Sequence, residues 1–170
     1  MSERPELTWH QLERLGEEIS AENGMWSESW NSATSHARAF NDAFIESFRA
    51  NEGRIPGELA DINSVLLTVT GARTGAKRVV PLIYFSIDNE IYVIASGGAA
   101  AKAPPWYYNV KADPEVIVET GAETYPALAS ILGDDERVRI WAEIVRQFPT
   151  VADHETHAGR AIPVIRLVRQ

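Results

Sequence analysis

A short segment between positions 70 and 78 has the composition of an anion-binding loop. It reads TGARTGAKR, and its two glycines allow backbone amides to turn toward a ligand. Arg73 and Arg78 can each bind a phosphate or carboxylate through two hydrogen bonds, and Thr74 adds a hydroxyl. A solvated hairpin with ordinary surface charge is the alternative that this pattern alone leaves open.

Two further segments could complete a site for a flat, ring-bearing ligand. Residues 95–99, ASGGA, have almost no side-chain bulk, so a ligand could lie against their backbone. Residues 102–109, KAPPWYYN, bring aromatic rings together, and such rings bury large areas and stack. A flexible loop and a helix face packed on the core are the alternative interpretations of these two segments.

Groups that could transfer a proton are fewer. Ser96 lies in the small-residue segment, and His154 precedes His157 by three positions in an acidic stretch. Ser96 or His154 could supply a proton, or His154 could line a substrate pocket. The two histidines have no second ligand cluster to support a metal site, so we expect no metal. The chain has no GxSxG, HExxH, P-loop or EF-hand pattern, and no cysteine.

Composition favours a soluble domain whose ligands are small molecules. The 170 residues carry a net charge of −8, with 24 acidic and 16 basic side chains. This charge disfavours nucleic acid and anionic lipid, and no apolar run approaches the ~18 residues of a membrane helix. We expect a cytoplasmic monomer or homodimer without a nucleic-acid partner. The N-terminal helices could form a membrane-surface arm, but their glutamates argue against anionic lipid and favour helices that pack on the rest of the domain.

The hydrophobic period changes from about four to about two after residue 57. Helices are predicted at residues 8–20, 34–50, 103–111 and 133–148, and strands at 64–70, 78–87, 90–96, 115–119, 124–131 and 162–168. A turn at Asp88-Asn89 would join the second and third strands in an antiparallel meander. The last long helix is expected to face inward through Val138, Trp141, Val145 and Phe148. Short connections with peripheral helices predict a closed or nearly closed β-barrel, in residues 61–170, behind a helical extension in residues 1–60.

The order and spacing of these segments resemble one known family. The likeness is carried by GARTG at 71–75, RVVPL at 78–82, ASGG at 95–98, WYYN at 106–109, ADP at 112–114 and RAIPV at 160–164. It covers roughly residues 65–168. The sequence resembles the deazaflavin-dependent nitroreductases, actinobacterial oxidoreductases that use coenzyme F420, an 8-hydroxy-5-deazaflavin. The resemblance implies a mainly β, α+β fold: a split β-barrel like that of FMN-binding proteins.

The resemblance also implies a cofactor groove across the barrel. Arg73, Thr74 and Arg78 would contact the phosphate and polyglutamate tail. The leading hypothesis is then hydride transfer from reduced F420 to an electron-poor acceptor, such as an activated enone, a quinone or a nitroaromatic. Ser96, His154, a pocket tyrosine or water could supply the proton. The ring-side contacts would be Val79, Pro81, Leu82, Ile83, Ile94, Ala95, Ser96, Gly97, Pro105, Trp106, Tyr107, Tyr108 and Asn109.

Two departures from the family pattern concern the cofactor and the substrate. Gly97 stands where family members often carry a lysine, so one cationic contact is lost unless Lys77 or Lys102 compensates for it. Residues 148–154 lack the tyrosines of nitroimidazole-activating members, so that activity is not expected. An FMN-dependent reductase on the same barrel and a non-catalytic deazaflavin carrier remain alternatives.

Overall fold

The computed structural model describes residues 35–54, 63–97 and 99–170, so the helix predicted at residues 8–20 lies outside the described part. Within it, the predicted helices and strands occur in the predicted order, and a 3-10 turn and a short helix that were not predicted follow the last long helix. The elements are α1 Ser35–Ala50, β1 Ser64–Thr70, β2 Lys77–Ile83, β3 Phe85–Ile87, β4 Glu90–Ile94, α2 Pro105–Ala112, β5 Glu115–Thr120, β6 Glu123–Ile131, α3 Asp134–Gln147, a 3-10 turn Pro149–Val151, α4 Ala152–Ala158 and β7 Val164–Arg169.

One stretch of chain supplies both edges of the single sheet. The seven strands lie in the order β2-β1-β5-β6-β7-β4-β3, and every pair is antiparallel. Only Tyr84 separates β2 from β3, so the two edge strands meet in the chain and the sheet must curl on itself. The expected split β-barrel is confirmed. The strand predicted at 78–87 is two strands with different neighbours.

Two hairpins meet at this corner and replace the predicted three-strand meander. β1 pairs with β2 from Ser64↔Ile83 to Thr70↔Lys77. Asp88 and Asn89 have φ values of 51° and 64°, the left-handed pair typical of a two-residue type I′ turn, and join β3 to β4 as predicted.

Side chains from the strands and from α2 fill the barrel interior. Val65, Val93 and Val118 are fully buried there, and Trp106 and Val110 of α2 pack against them. A buried tryptophan removes about 150–250 Å² from water, so this contact fixes α2 firmly on the barrel. The other face of α2 therefore points outward in a defined orientation.

Helix α1 covers the outer face of the first hairpin. Phe44 and Phe48 are buried against Leu66, and their rings stack at a centroid distance of 6.5 Å. The two residues are four positions apart, so their rings lie on the same face of the helix. The proposed domain boundary at residue 60 falls outside the described residues and stays a prediction.

Helix α3 presents a different face to the sheet from the predicted one. Ile140 and Ile144 are 0% exposed, whereas Val138 and Phe148 are 63% and 40% exposed. The prediction was wrong for Val138, whereas the Phe148 ring meets that of buried Phe85 edge to face at 5.3 Å and Trp141 packs at the edge of the cluster. The helix carries two overlapping apolar stripes, and only contact with the sheet decides which of them is buried.

Two alanine substitutions, one in each apolar stripe of α3, should distinguish the buried stripe from the exposed one. We expect Ile144→Ala to lower the free energy of unfolding by about 2–5 kcal/mol, because it leaves a cavity in a closed cluster. Val138→Ala should change it by no more than about 0.5 kcal/mol, as is usual at the surface. Urea denaturation followed by tryptophan fluorescence measures both. Equal losses would contradict the assigned inward face.

Candidate active site

The loop between β1 and β2 is closed by its own backbone and leaves its cations exposed. Gly71 N–H donates to the carbonyl of Ala76 at 2.8 Å, and Gly75 N–H donates to the carbonyl of Gly71 at 2.8 Å. Gly75 has a φ of 69°, which favours glycine at this turn. Thr74 Oγ1 accepts from Ala76 N–H at 3.2 Å and keeps its own hydrogen to donate.

The strand register places the cations of this loop on different faces. Arg78 lies opposite Val69, on the face that continues into the barrel interior. Lys77 lies on the other face, where its Nζ donates to Thr70 Oγ1 at 2.7 Å. Lys77 is therefore already engaged, while Arg73 and Arg78 are exposed.

Among the described residues, Arg73 and Arg78 pair with no carboxylate, which sets them apart from most other arginines of the protein. An unpaired arginine in an acidic protein is ready to bind an anion from solution without first breaking an ion pair. The arginines with carboxylate partners are Arg49 with Glu119, Arg137 with Glu155, Arg139 with Asp88, Arg146 with Glu143, Arg166 with Glu90 and Glu136, and Arg169 with Glu123.

Asn109 ties the cationic loop to α2. Its Oδ1 accepts from the backbone N–H of Ala72 at 3.0 Å. On the same helix, Tyr107 is half-buried and Tyr108 is 51% exposed, and their rings meet edge to face at 5.4 Å. Trp106 instead belongs to the barrel core, so Tyr108 is the predicted ring-side aromatic that is open to a ligand.

The strand residues predicted to line a ring divide between two faces of the sheet. Leu82 packs toward the barrel interior, while its neighbours Val79 and Pro81 lie on the face that α1 covers in part. In β4, Ile94 packs toward α3, but Ala95 belongs to the barrel core. Because side chains alternate along a strand, these residues do not converge on one surface. Ile83, 49% exposed, and Pro105, also exposed, are accessible.

Arg160 organises the small-residue turn after β4. Its Nε donates to the carbonyl of Ala100 at 3.0 Å, and its Nη2 donates to the carbonyls of Ala95 and Ser96 at 3.1 Å each. Burial lowers the pKa of Arg160, and the nearby Tyr108 and Tyr107 hydroxyls oppose that change. The guanidinium therefore lies between the turn and α2. Sequence reasoning noted Arg160 only within a closing motif, since nothing local reveals its carbonyl partners.

The turn has a left-handed backbone at its centre. Gly97 has a φ of 59° and Ala99 a φ of 61°, while Gly98 lies outside the described residues. A lysine at position 97 in this backbone would cost roughly 1–2 kcal/mol, which gives a physical reason for glycine there. Of the two lysines that could compensate for the missing cation, Lys77 is bound to Thr70 and Lys102 is exposed.

Ser96 and His154 are brought together, although they lie 58 positions apart. Ser96 Oγ is 2.6 Å from His154 Nδ1 and accepts from Ala99 N–H at 3.1 Å. Burial lowers the pKa of His154; the charge of Asp153 opposes this change and that of His157 reinforces it. At neutral pH the imidazole is therefore mainly uncharged.

A network behind His154 holds α4 in place. Glu155 forms an ion pair with Arg137 of α3 and accepts from the backbone N–H of Ile162 at 3.0 Å. Arg137 also donates to the Ile162 carbonyl at 2.8 Å and lies 5.1 Å from the Trp141 ring centre. These bonds join α3, α4 and the segment before β7, so His154 has a rigid support.

No group of three metal-binding side chains occurs within residues 35–54, 63–97 and 99–170. No helix in those ranges is long and apolar enough to cross a membrane. The site is thus a surface built along α2, with exposed cations at one end and the Ser96–His154 pair beside the Arg160-bound turn. Such a surface suits a ligand that combines an anionic tail with a flat ring.

Comparison with known proteins identifies the family that this chain resembles. The F420H(2)-dependent quinone reductase family matches residues 41–169. An F420H(2)-dependent quinone reductase of Mycobacterium tuberculosis is 30% identical over 128 residues, which are 72% of this chain and 85% of the relative.

Solved structures agree. An F420-H2 dependent reductase is 39% identical, with a TM-score of 0.56, over 62% of this chain and 93% of that one. A second structure, described as a domain-swapped dimer, is 35% identical with a TM-score of 0.58, over 74% of this chain and 92% of that one.

These comparisons confirm the resemblance drawn from the motifs, and with it the enzyme class and the cofactor, coenzyme F420. The residues present fit that cofactor, because Arg73 and Arg78 are exposed and unpaired with the described carboxylates, as its anionic tail requires. The chain belongs to the F420H(2)-dependent quinone reductase family.

Proposed function

We propose that this F420H2-dependent reductase reduces a quinone, and that its cofactor lies along α2. The observation that carries the placement is that Arg73 and Arg78 pair with no carboxylate in the described part of the chain, while their loop is joined to α2 by the Ala72–Asn109 hydrogen bond. The M. tuberculosis relative, described as a quinone reductase, supports the acceptor class. Activated enones and nitroaromatics remain acceptors to be compared with quinones.

Each end of the proposed surface would have a separate task. Arg73, Arg78 and the Thr74 hydroxyl would hold the phosphate and carboxylates of the tail. The exposed Tyr108 and the backbone of residues 95–97 would border the ring. The hydrogen bonds from Arg160 to the carbonyls of Ala95 and Ser96 would hold that backbone in place. The reduced deazaflavin, when bound, supplies a hydride. The protein residues orient it and exclude water from the acceptor.

An anaerobic comparison of acceptors tests the substrate class. Purified protein is mixed with excess reduced F420 and either a soluble quinone, a nitroaromatic or an enone, and the return of oxidised cofactor is followed by absorbance. We expect kcat/KM to be highest for the quinone, by at least about tenfold, which corresponds to 1.4 kcal/mol of transition-state preference. A faster nitroaromatic or enone would reject the quinone assignment.

Parallel reactions separate the two alternatives. Reduced FMN in place of reduced F420 should give no turnover, whereas comparable turnover would favour an FMN reductase. Binding of F420 without oxidation by any acceptor would identify a carrier. Oligomeric state can be measured on the same samples by sedimentation, because the domain-swapped relative makes a homodimer worth testing.

A further inference from the structure

The hydroxyl of Ser96 has a nearly complete set of partners. It belongs to a residue only 6% exposed, accepts from Ala99 N–H at 3.1 Å, and lies 2.6 Å from His154 Nδ1. A serine hydroxyl has one hydrogen to donate and two lone pairs to accept with. Ala99 occupies one lone pair, so the protonation state of the imidazole determines whether the Ser96 hydrogen is available to a substrate.

The protonation state of His154 determines the direction of this hydrogen bond. A neutral imidazole with a lone pair on Nδ1 can accept the Ser96 hydrogen, which then cannot be donated elsewhere. An imidazolium carries hydrogen on both nitrogens, so its Nδ1 can only donate. In that state Ser96 accepts twice, from Ala99 and from His154, and its own hydrogen is free for another acceptor.

We propose that His154 is a positioning residue that makes Ser96 the proton donor of the reduction. The proposal rests on the proposed quinone reduction. The acceptor gains a hydride with its electron pair and becomes an oxyanion, while the cofactor is oxidised by two electrons. The Ser96 O–H bond then breaks as an O–H bond forms on the acceptor. The Nδ1 hydrogen of His154 passes to Ser96, leaving the imidazole neutral, and solvent reprotonates it.

Charged groups from three elements face this pair and set its titration. Asp153 and His157 flank His154 on α4, and Glu155 of the same helix is already paired with Arg137 of α3. Arg160 donates to the backbone carbonyl of Ser96, and the two tyrosine hydroxyls of α2 lie near Arg160. Burial outweighs the charge of Asp153, so the pKa of His154 lies below the ordinary value for histidine.

A titration of the protein without cofactor tests the hydrogen-bond direction. The imidazole signal of His154 is followed by NMR against pH in the wild type and in Ser96→Ala. If Ser96 accepts from the imidazolium, removing its oxygen destabilises the charged form, and the pKa of His154 falls. If Ser96 mainly donates to the neutral ring, the pKa rises. The proposal requires the bond from the imidazolium to be the stronger of the two, so that charging His154 frees the Ser96 hydrogen for the acceptor; a rise or no change would overturn it.

A pH profile tests the consequence for the reaction. Wild-type kcat/KM for the quinone should rise as pH falls through the pKa of His154, with a slope of about tenfold per unit above that pKa. His154→Asn keeps an amide near the Nδ1 position but does not titrate, so its profile should be flat across this range. His154→Phe should be flat and slower than His154→Asn, because it leaves the hydroxyl without this partner.

His157→Asn is the matched control on the same helix. It should keep the wild-type slope, moved slightly to higher pH, because the charge of His157 lowers the pKa of His154. A wild-type slope in His154→Asn would overturn the positioning role even though quinone reduction stands. Absence of quinone turnover in the wild type would instead reject the proposed function, and the NMR titration would still decide the hydrogen-bond direction.

Discussion

Replacing both Arg73 and Arg78 with glutamine is expected to weaken F420 binding by about two orders of magnitude or more. A hydrogen bond to a charged group contributes roughly 1.5–3 kcal/mol, and 1.4 kcal/mol is a tenfold change in affinity. We take the lower end for each residue because both arginines are exposed before the cofactor binds. Fluorescence titration with oxidised F420 measures the effect.

A second double variant controls for the change in net charge. Arg146→Gln with Arg169→Gln removes the same two charges, but those arginines are paired with Glu143 and Glu123 on other parts of the surface. It should bind F420 nearly as the wild type does. Added salt should weaken binding to the wild type more than to the Arg73/Arg78 variant. Equal losses of F420 affinity in the two double variants would mean that the loop arginines act only through the net charge of the protein.

Removing the Arg160 guanidinium should affect stability and cofactor binding together. Arg160→Met deprives the carbonyls of Ala95, Ser96 and Ala100 of their donor. Each buried group left unpaired costs about 1–3 kcal/mol, and partial access of water reduces the sum, so we expect a loss of roughly 2–4 kcal/mol in the free energy of unfolding. F420 affinity should fall as well, because the turn beside the ring loses its anchor.

Two substitutions serve as controls for Arg160→Met, one conservative and one at a distant site. Arg160→Lys keeps the charge but cannot reproduce the planar fork, so it should recover only part of both losses. Arg139→Met removes an exposed arginine whose nearest carboxylate, on Asp88, is 3.9 Å away, and should change neither quantity appreciably. If Arg160→Met were as stable as the wild type and bound F420 as tightly, the hydrogen bonds of Arg160 would have no role in stability or cofactor binding.

Local sequence signals predicted the elements well but not how they meet. The β-branched run SVLLTVT gave β1 with its observed bounds, Ser64–Thr70, and the Asp88-Asn89 pair gave its hairpin. The corner at Tyr84 was missed, because pairing with two different strands is decided by closure of the barrel rather than by local propensity. The inward face of α3 was missed for the same reason.

The residues of the candidate site were also only partly predictable from the sequence. The cationic loop could be recognised because glycines and arginines near one another in sequence stay near in space. Trp106 was placed with the ligand-facing aromatics, yet it fills the barrel core, since a short helix must bury one of its large rings. Arg160 and the Ser96–His154 contact depend on segments about 60 positions apart, which only the folded chain brings together.

One single-turnover reaction tests the central claim most directly. Protein is loaded anaerobically with one equivalent of reduced F420, with binding verified by fluorescence, and is then mixed with a soluble quinone. We predict that oxidised F420 and hydroquinone form in equal amounts, much faster than in the same mixture without protein. A bound cofactor that stays reduced, or that is oxidised no faster than in free solution, would contradict the proposal that this chain reduces quinones.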